Sequence, residues 1–190
     1  MPYVVSTSGD DSRSVSKDFD PDIPMDYNRK LTGVFPMTAD ERAAIPKKLR
    51  VGKPRVGGIP HILGWSMGPF IVSWRVRGLI EELEPGVQEF SPIELVSVDG
   101  KGGLGTYFLI LPPPKLDAIV KEQTEFDSSR MLRPRGRCVL DAAAIRGHHF
   151  WRGEQPLILT YFCSDELGAR LKKEKLDGWD LRHRCTVQRR

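Results

Sequence analysis

Cysteine is scarce: three residues in 190, at positions 138, 163 and 185, odd in number and with no CxxC pair. A disulfide framework is therefore not expected, and reduced thiols in a cytoplasmic setting are. No run of about eighteen apolar residues occurs, so no membrane-spanning helix is expected. The start, "MPYVVSTSGDD", lacks a basic stretch followed by an apolar one, and no secretory signal is read there. Neither a helix-turn-helix signature nor a platform of aromatics interleaved with basic residues accompanies the arginines, so nucleic acid is not the expected partner.

What is present is ordinary in amount and uneven in placement. Apolar residues make up 39% and mean hydropathy is −0.35, as in a globular chain with a substantial core. The net charge of +4 is concentrated at one end: residues 130–190 hold 14 Lys/Arg against 7 Asp/Glu, while residues 1–46 hold 5 against 8. Such a basic third fits either a solvated arginine-rich face or a contact with an acidic surface, lipid or nucleic acid.

Residues 8–60 are rich in Asp, Pro and Gly and weakly periodic, with one short helix expected at Ala39–Ala44. Clearer signals follow. Val76, Leu79, Ile80 and Leu83 fall at i, i+3, i+4 and i+7, the stripe of a helix that Ser73 starts and Pro85–Gly86 ends. Its charges oppose the helix dipole, with Arg75 and Arg77 early and Glu81, Glu82 and Glu84 late, so packing must hold it. The closing helix, "SDELGARLKKEKL", is the reverse: Ser164 as cap, Asp165 and Glu166 in the first turn, lysines near the end. Strands are read in "YVVST", "QEFSPIELVSV", "TYFLIL", "RCVLDAAAI", "PLILTYF" and "DLRHRCTV". "FIVS", helix, Gly86, strand parallels "YFCS", helix, Gly178, strand, with Ser and Gly thirteen and fourteen residues apart. A duplication and a commonly reused strand–helix piece both account for the echo.

Three motifs invite a chemical reading. "GKGGLG" at 100–105 matches GxGxxG, but a strand and prolines follow it instead of the helix a dinucleotide site needs. A turn between antiparallel strands accounts for it. "GWSMG" at 64–68 matches the nucleophile elbow, with acids and histidines following in chain order, and Ser66 is the candidate of an alternative serine-hydrolase reading. The strands that would underlie such an elbow are missing from residues 8–58. "GHHFWRG" at 147–153 offers two histidines, but neighbours on an extended segment point to opposite faces and cannot share one ion. That stretch reads as a turn into a strand that also presents part of a binding surface. No catalytic residue, metal site or cofactor is assigned.

The order of these pieces carries a resemblance. "FIVSWRVRGLIEELEPGVQEFSPIEL", then the Gly-x-His-aromatic-aromatic-Arg element "GHHFWR", then "LILTYFCSDELGARLKKEKLDGWDLRH" is similar to the bacterial polymorphic-toxin immunity proteins of family eleven, earlier classed as a domain of unknown function. The resemblance covers roughly residues 60–186 and the short N-terminal strand. The chain departs from it at Trp74 and in the long acidic segment 8–45.

The resemblance implies an α+β protein without catalysis that binds a cognate toxin encoded nearby and blocks it in the cytoplasm of the producing cell. The expected fold is a mixed, mainly antiparallel sheet with two principal Ser-capped helices packed on it. Residues 1–59 form a short strand and an irregular arm, and residues 60–190 the core, one domain overall. Because the chain is basic, mimicry of nucleic acid is not the expected blocking mode. By residue type, the partner-binding candidates are Trp65, Trp74, His148, His149, Trp151, Arg152, Trp179, Asp180 and His183, with two or more of the four tryptophans expected to be buried.

Overall fold

In the computed structural model, residues 1–7, 17–20, 25–33, 36–52, 58–64, 69–99, 102–129, 131–133, 136–154, 160–181 and 183–189 are described. The chain runs β1 (Tyr3–Thr7), β2 (Lys17–Asp20), α1 (Met25–Leu31), α2 (Ala39–Ala43), β3 (Lys48–Val51), β4 (Ile62–Leu63), β5 (Ile71–Ser73), α3 (Trp74–Leu83), β6 (Phe90–Ser97) and β7 (Gly103–Ile110). It continues with β8 (Lys115–Leu116), β9 (Val139–Asp141), β10 (Phe150–Gly153), β11 (Tyr161–Cys163), α4 (Asp165–Lys173), β12 (Trp179–Asp180) and β13 (Thr186–Gln188). The class is α+β with mostly antiparallel pairing, in sheets ordered β2-β3-β6-β7-β5-β4, β12-β1-β11-β10-β8 and β13-β9. The N-terminal segment is irregular only in part. Leu49 and Val51 are apolar at alternate positions, and burying them inserts β3 beside β6 in parallel.

Of "GKGGLG", Gly102 precedes β7 and Gly103–Gly105 open it, in the β6–β7 hairpin where Phe90 to Val96 pair antiparallel with Ile110 to Gly103. The first two residues of the motif fall outside the described set. The described glycines therefore lead into a strand and not into a helix.

Within the two large sheets sit two units of one topology. In the first, the spatial order is β4-β5-β7-β6; in the second it is β10-β11-β1-β12, and every neighbouring pair is antiparallel. A helix follows the second strand in each, α3 after β5 and α4 after β11. The second unit takes its inner strand from the far N-terminus, so Tyr3 opposite Cys163 stands where Phe108 stands opposite Val72. Each of these rings lies under a helix cation, Lys172 Nζ at 4.5 Å from the Tyr3 ring and the Arg77 guanidinium at 4.5 Å from Phe108.

The contacts between the units are reciprocal, as in a two-fold arrangement. Glu84 and Gln88, just after α3, accept from the Phe150 amide (3.0 Å) and donate to its carbonyl (2.8 Å). Asp177, just after α4, accepts from the Ile62 amide through its carbonyl (3.0 Å) and from the His61 amide through its carboxylate (3.0 Å). Gly178 then packs so tightly on Ile62 that a Cβ there would lie 2.0 Å from the Ile62 carbonyl oxygen. Between the units, Phe70 meets Tyr161 and Trp179 edge-on at 5.0 and 5.3 Å, and Phe150 stacks on Trp179 at 5.1 Å. Each such pair adds about 0.5–1.5 kcal/mol beyond the area it buries.

The two serines do not act alike. Ser164 Oγ accepts from the Leu167 amide at 3.0 Å and caps α4. Ser73 holds the corresponding position at α3, but its hydroxyl makes no bond to that helix and lies 2.9 Å from His61 Nδ1 instead. The sequence expectation of a capped α3 is corrected accordingly: the Ser73 hydroxyl is taken up by His61, just before β4, and not by an amide of the helix. Burial of Val76, Leu79 and Ile80 anchors the helix in its place.

Candidate functional site

With Val76, Leu79 and Ile80 turned inward, α3 presents Trp74, Gly78 and Glu82 at i, i+4 and i+8 on its outer side, beside α4. Between the helices lies a groove of about 320 Å³ lined by Trp74, Arg75, Gly78, Leu79, Glu82, Arg170 and Glu174. Trp74 is 71% exposed, the most open of the large apolar side chains among the described residues. The groove's charges are tied to one another. Arg170 grips both oxygens of Glu82 at 3.1 Å and reaches Glu174 at 3.3 Å, and Arg75 lies 3.7 Å from Glu174. Arg170's hydrogen bonds hold the Glu82 carboxyl below the ordinary carboxylate range.

The candidate residues do not converge on one face. Trp65, together with Ser66 of the hydrolase alternative, lies outside the described residues. Trp151 is fully buried, stacked on Phe162 at 5.8 Å, in a cluster with Cys138 and Cys185. Arg152 is 4% exposed, and its guanidinium donates to the carbonyls of Thr32, at 2.7 Å, and Gly33. Burial lowers its pKa. These two side chains stand inside the fold and not on a face open to a partner. Sequence alone did not reveal this, because all four residues of β10 are buried and no polar-apolar alternation marks a solvent side.

His148 and His149 diverge, as neighbours on an extended backbone must. His148 Nδ1 lies 3.0 Å from the buried Glu84 carboxylate, whereas His149 Nδ1 lies 2.9 Å from Ser164 Oγ. The second contact mirrors His61 on Ser73, in the first unit. Both histidines thus fasten a strand to a helix end. His183 Nε2 lies 2.8 Å from the Gly136 carbonyl. Trp179 is half-buried in the aromatic cluster between the units, and Asp180 is half-buried in β12. Of the nine candidates, Trp74 alone among the described residues presents a largely open apolar surface.

Sequence reading missed Gly78, Leu79, Glu82, Arg170 and Glu174 as one constellation, since α4 lies about ninety residues further along the chain. A signal was present in part: a first turn holding Trp and Arg where a helix favours carboxylates, and an unforced glycine within the helix.

The profile of the Immunity protein family (Imm11) matches residues 16–185. The match takes in most of the N-terminal segment that the sequence resemblance left aside, in keeping with β3 lying within the large sheet. Among curated proteins none matches the chain. Among the described residues no helix is long and apolar enough to cross a membrane.

Proposed function

Since the chain belongs to the Immunity protein family (Imm11), we propose that it binds a cognate bacterial toxin, encoded nearby, and neutralises it in the cytoplasm by occupying the toxin's surface without chemical turnover. The observation that carries this reading is the family match across residues 16–185. A largely exposed tryptophan on a helix packed by its opposite face supports it, because such residues are favoured anchors of protein interfaces. The histidines that sequence put forward are engaged with a buried carboxylate and with a capping serine, which suits a holding role.

The test is co-expression with the toxin domain translated from the adjacent reading frame. Growth is restored by the chain, and the two purified proteins elute as a 1:1 complex. Toxicity that persists beside a folded, abundant chain would rule the reading out. Restored growth without a complex, accompanied by a chemically altered toxin or substrate, would replace binding with catalysis.

A further inference from the structure

The groove between α3 and α4 combines three features that folding does not require. Trp74 leaves 71% of its surface in water. Gly78 sits one turn further on, in mid-helix, exposed, with nothing within 4 Å of where a Cβ would stand. Helix propensity favours almost any other residue there, and no close packing calls for glycine. Counting from Ser73 and Ser164, the corresponding positions of α4 are Asp165 and Ala169, both residues that suit a helix. A bare helix surface beside an indole lets another chain approach closely.

The third feature is charge. The groove carries two arginines and two glutamates, and each arginine already faces a carboxylate. A groove so neutralised draws neither a polyanion nor a strongly charged segment. Its open surface is indole and glycine backbone over the buried Leu79, with ion pairs at the rim, the layout of an apolar centre shielded by polar neighbours.

We infer that this groove is the seat of the toxin, and that it takes an apolar side chain carried on an uncharged stretch of the toxin's backbone, laid over Gly78 and against Trp74. The inference rests on the toxin-binding function proposed above. Gly78→Gln fills the floor of the groove, and Trp74→Ala removes its wall. Calorimetric titration with the toxin domain from the adjacent reading frame is expected to show each variant binding at least about thirtyfold more weakly than wild type, as for an interface anchor. The unfolding midpoint of Gly78→Gln should rise or stay level, which separates blocked docking from misfolding. Val98→Ser, at an exposed site on the hairpin tip, serves as control and binds as wild type.

If wild type binds and both groove variants bind within about threefold of it, the groove is not the seat. If wild type itself fails to bind that domain, the toxin-binding function falls and the seat with it. Self-association of wild type that Trp74→Ala abolishes would assign the groove to a second copy of this chain and overturn the inference.

Discussion

Two helices hold equivalent places in the two units and are built by opposite rules. α4 starts Ser164-Asp165-Glu166 and ends with Arg170, Lys172 and Lys173, so cap and dipole both favour it. α3 starts Ser73-Trp74-Arg75, has no acid in its first turn or base in its last, and its serine makes no bond to the helix it precedes. Both are ordered, because Val76 and Ile80 occupy in the first unit the buried positions that Leu167 and Leu171 occupy in the second. The difference shows where tertiary burial substitutes for local preference. A departure from local rules that packing does not demand is where a functional constraint is to be sought, and Trp74 and Gly78 are such departures.

The largest contrast lies in the left-handed glycines that follow the two helices. Gly178, at φ +115°, has the Ile62 carbonyl 2.0 Å from any added Cβ, whereas Gly86, at φ +71°, faces open space. Gly178→Ala is expected to cost more than about 4 kcal/mol and to leave little folded protein, because backbone must move at the join between the units. Gly86→Ala carries only the left-handed backbone strain, about 1–2 kcal/mol. Urea unfolding of the pair decides it; equal costs would mean that the join yields easily.

Next come the glutamates at the two helix ends. Glu84 is 3% exposed and serves both His148 and the Phe150 amide; Glu174 is partly open and shares Arg170 with Glu82. Removing Glu84 strands a buried amide. Glu84→Ala is therefore expected to cost about 3 kcal/mol, against less than about 1 for Glu174→Ala.

These contrasts also show what a linear reading could reach. The stripe Val76-Leu79-Ile80-Leu83 and the Ser164-Asp165-Glu166 start are local signals, and both helices form where those signals stand. The hairpin was likewise readable from glycines between two β-rich runs. The strand that completes the second unit was not, because β1 and β11 are separated by more than 150 residues and nothing local encodes their pairing. Burial of Arg152 depended on accepting carbonyls at Thr32 and Gly33, again remote in sequence. The burial of Trp151 was not legible for a different reason: β10 has core on both faces, Phe150 entering one cluster and Trp151 another. Residue type identified Trp74 as a contact candidate, but the groove beside it needed the packing of α3 on α4.

A pH contrast follows from the strands that precede the helices. Counting back from the serines, Val72 and Phe70 of the first unit correspond to Cys163 and Tyr161 of the second. Burial pushes the Cys163 thiol and the Tyr161 phenol each up to about 12. Both are neutral when protonated, and both hold their protons longer folded than unfolded. Their stabilising effect is complete below pH 9 and declines as pH rises from 9 towards 12. The Cys163 thiol alone should cost about 1 kcal/mol by pH 10. Thermal midpoints of Cys163→Val with Tyr161→Phe should show a shallower alkaline decline, the rest belonging to Cys185, Tyr27 and Tyr107, which are also pushed up; an unchanged slope would place its origin elsewhere. The serines themselves come next. Ser164→Ala removes a cap, for about 1 kcal/mol, and Ser73→Ala, which caps nothing, should cost less.

The smallest effect bears most directly on why the helices differ. Asp165 and Trp74 are the first residues of α4 and α3, both exposed, one favoured by the dipole and one indifferent to it. Asp165→Asn should lower stability by about 0.5 kcal/mol, part of it from the ion pair with the Met1 amine at 3.3 Å. Trp74→Asp should raise stability by a similar amount, since a carboxylate enters the first turn and little packing is lost. Both shifts should fade in molar salt, where the screening length falls to about 3 Å. A gain from Trp74→Asp means that wild type keeps an indole where a carboxylate would stabilise the fold. Loss of toxin binding in that more stable variant would tie the exception in α3 to recognition. A clear drop in stability would instead make Trp74 a packing residue and return α3 and α4 to the same footing.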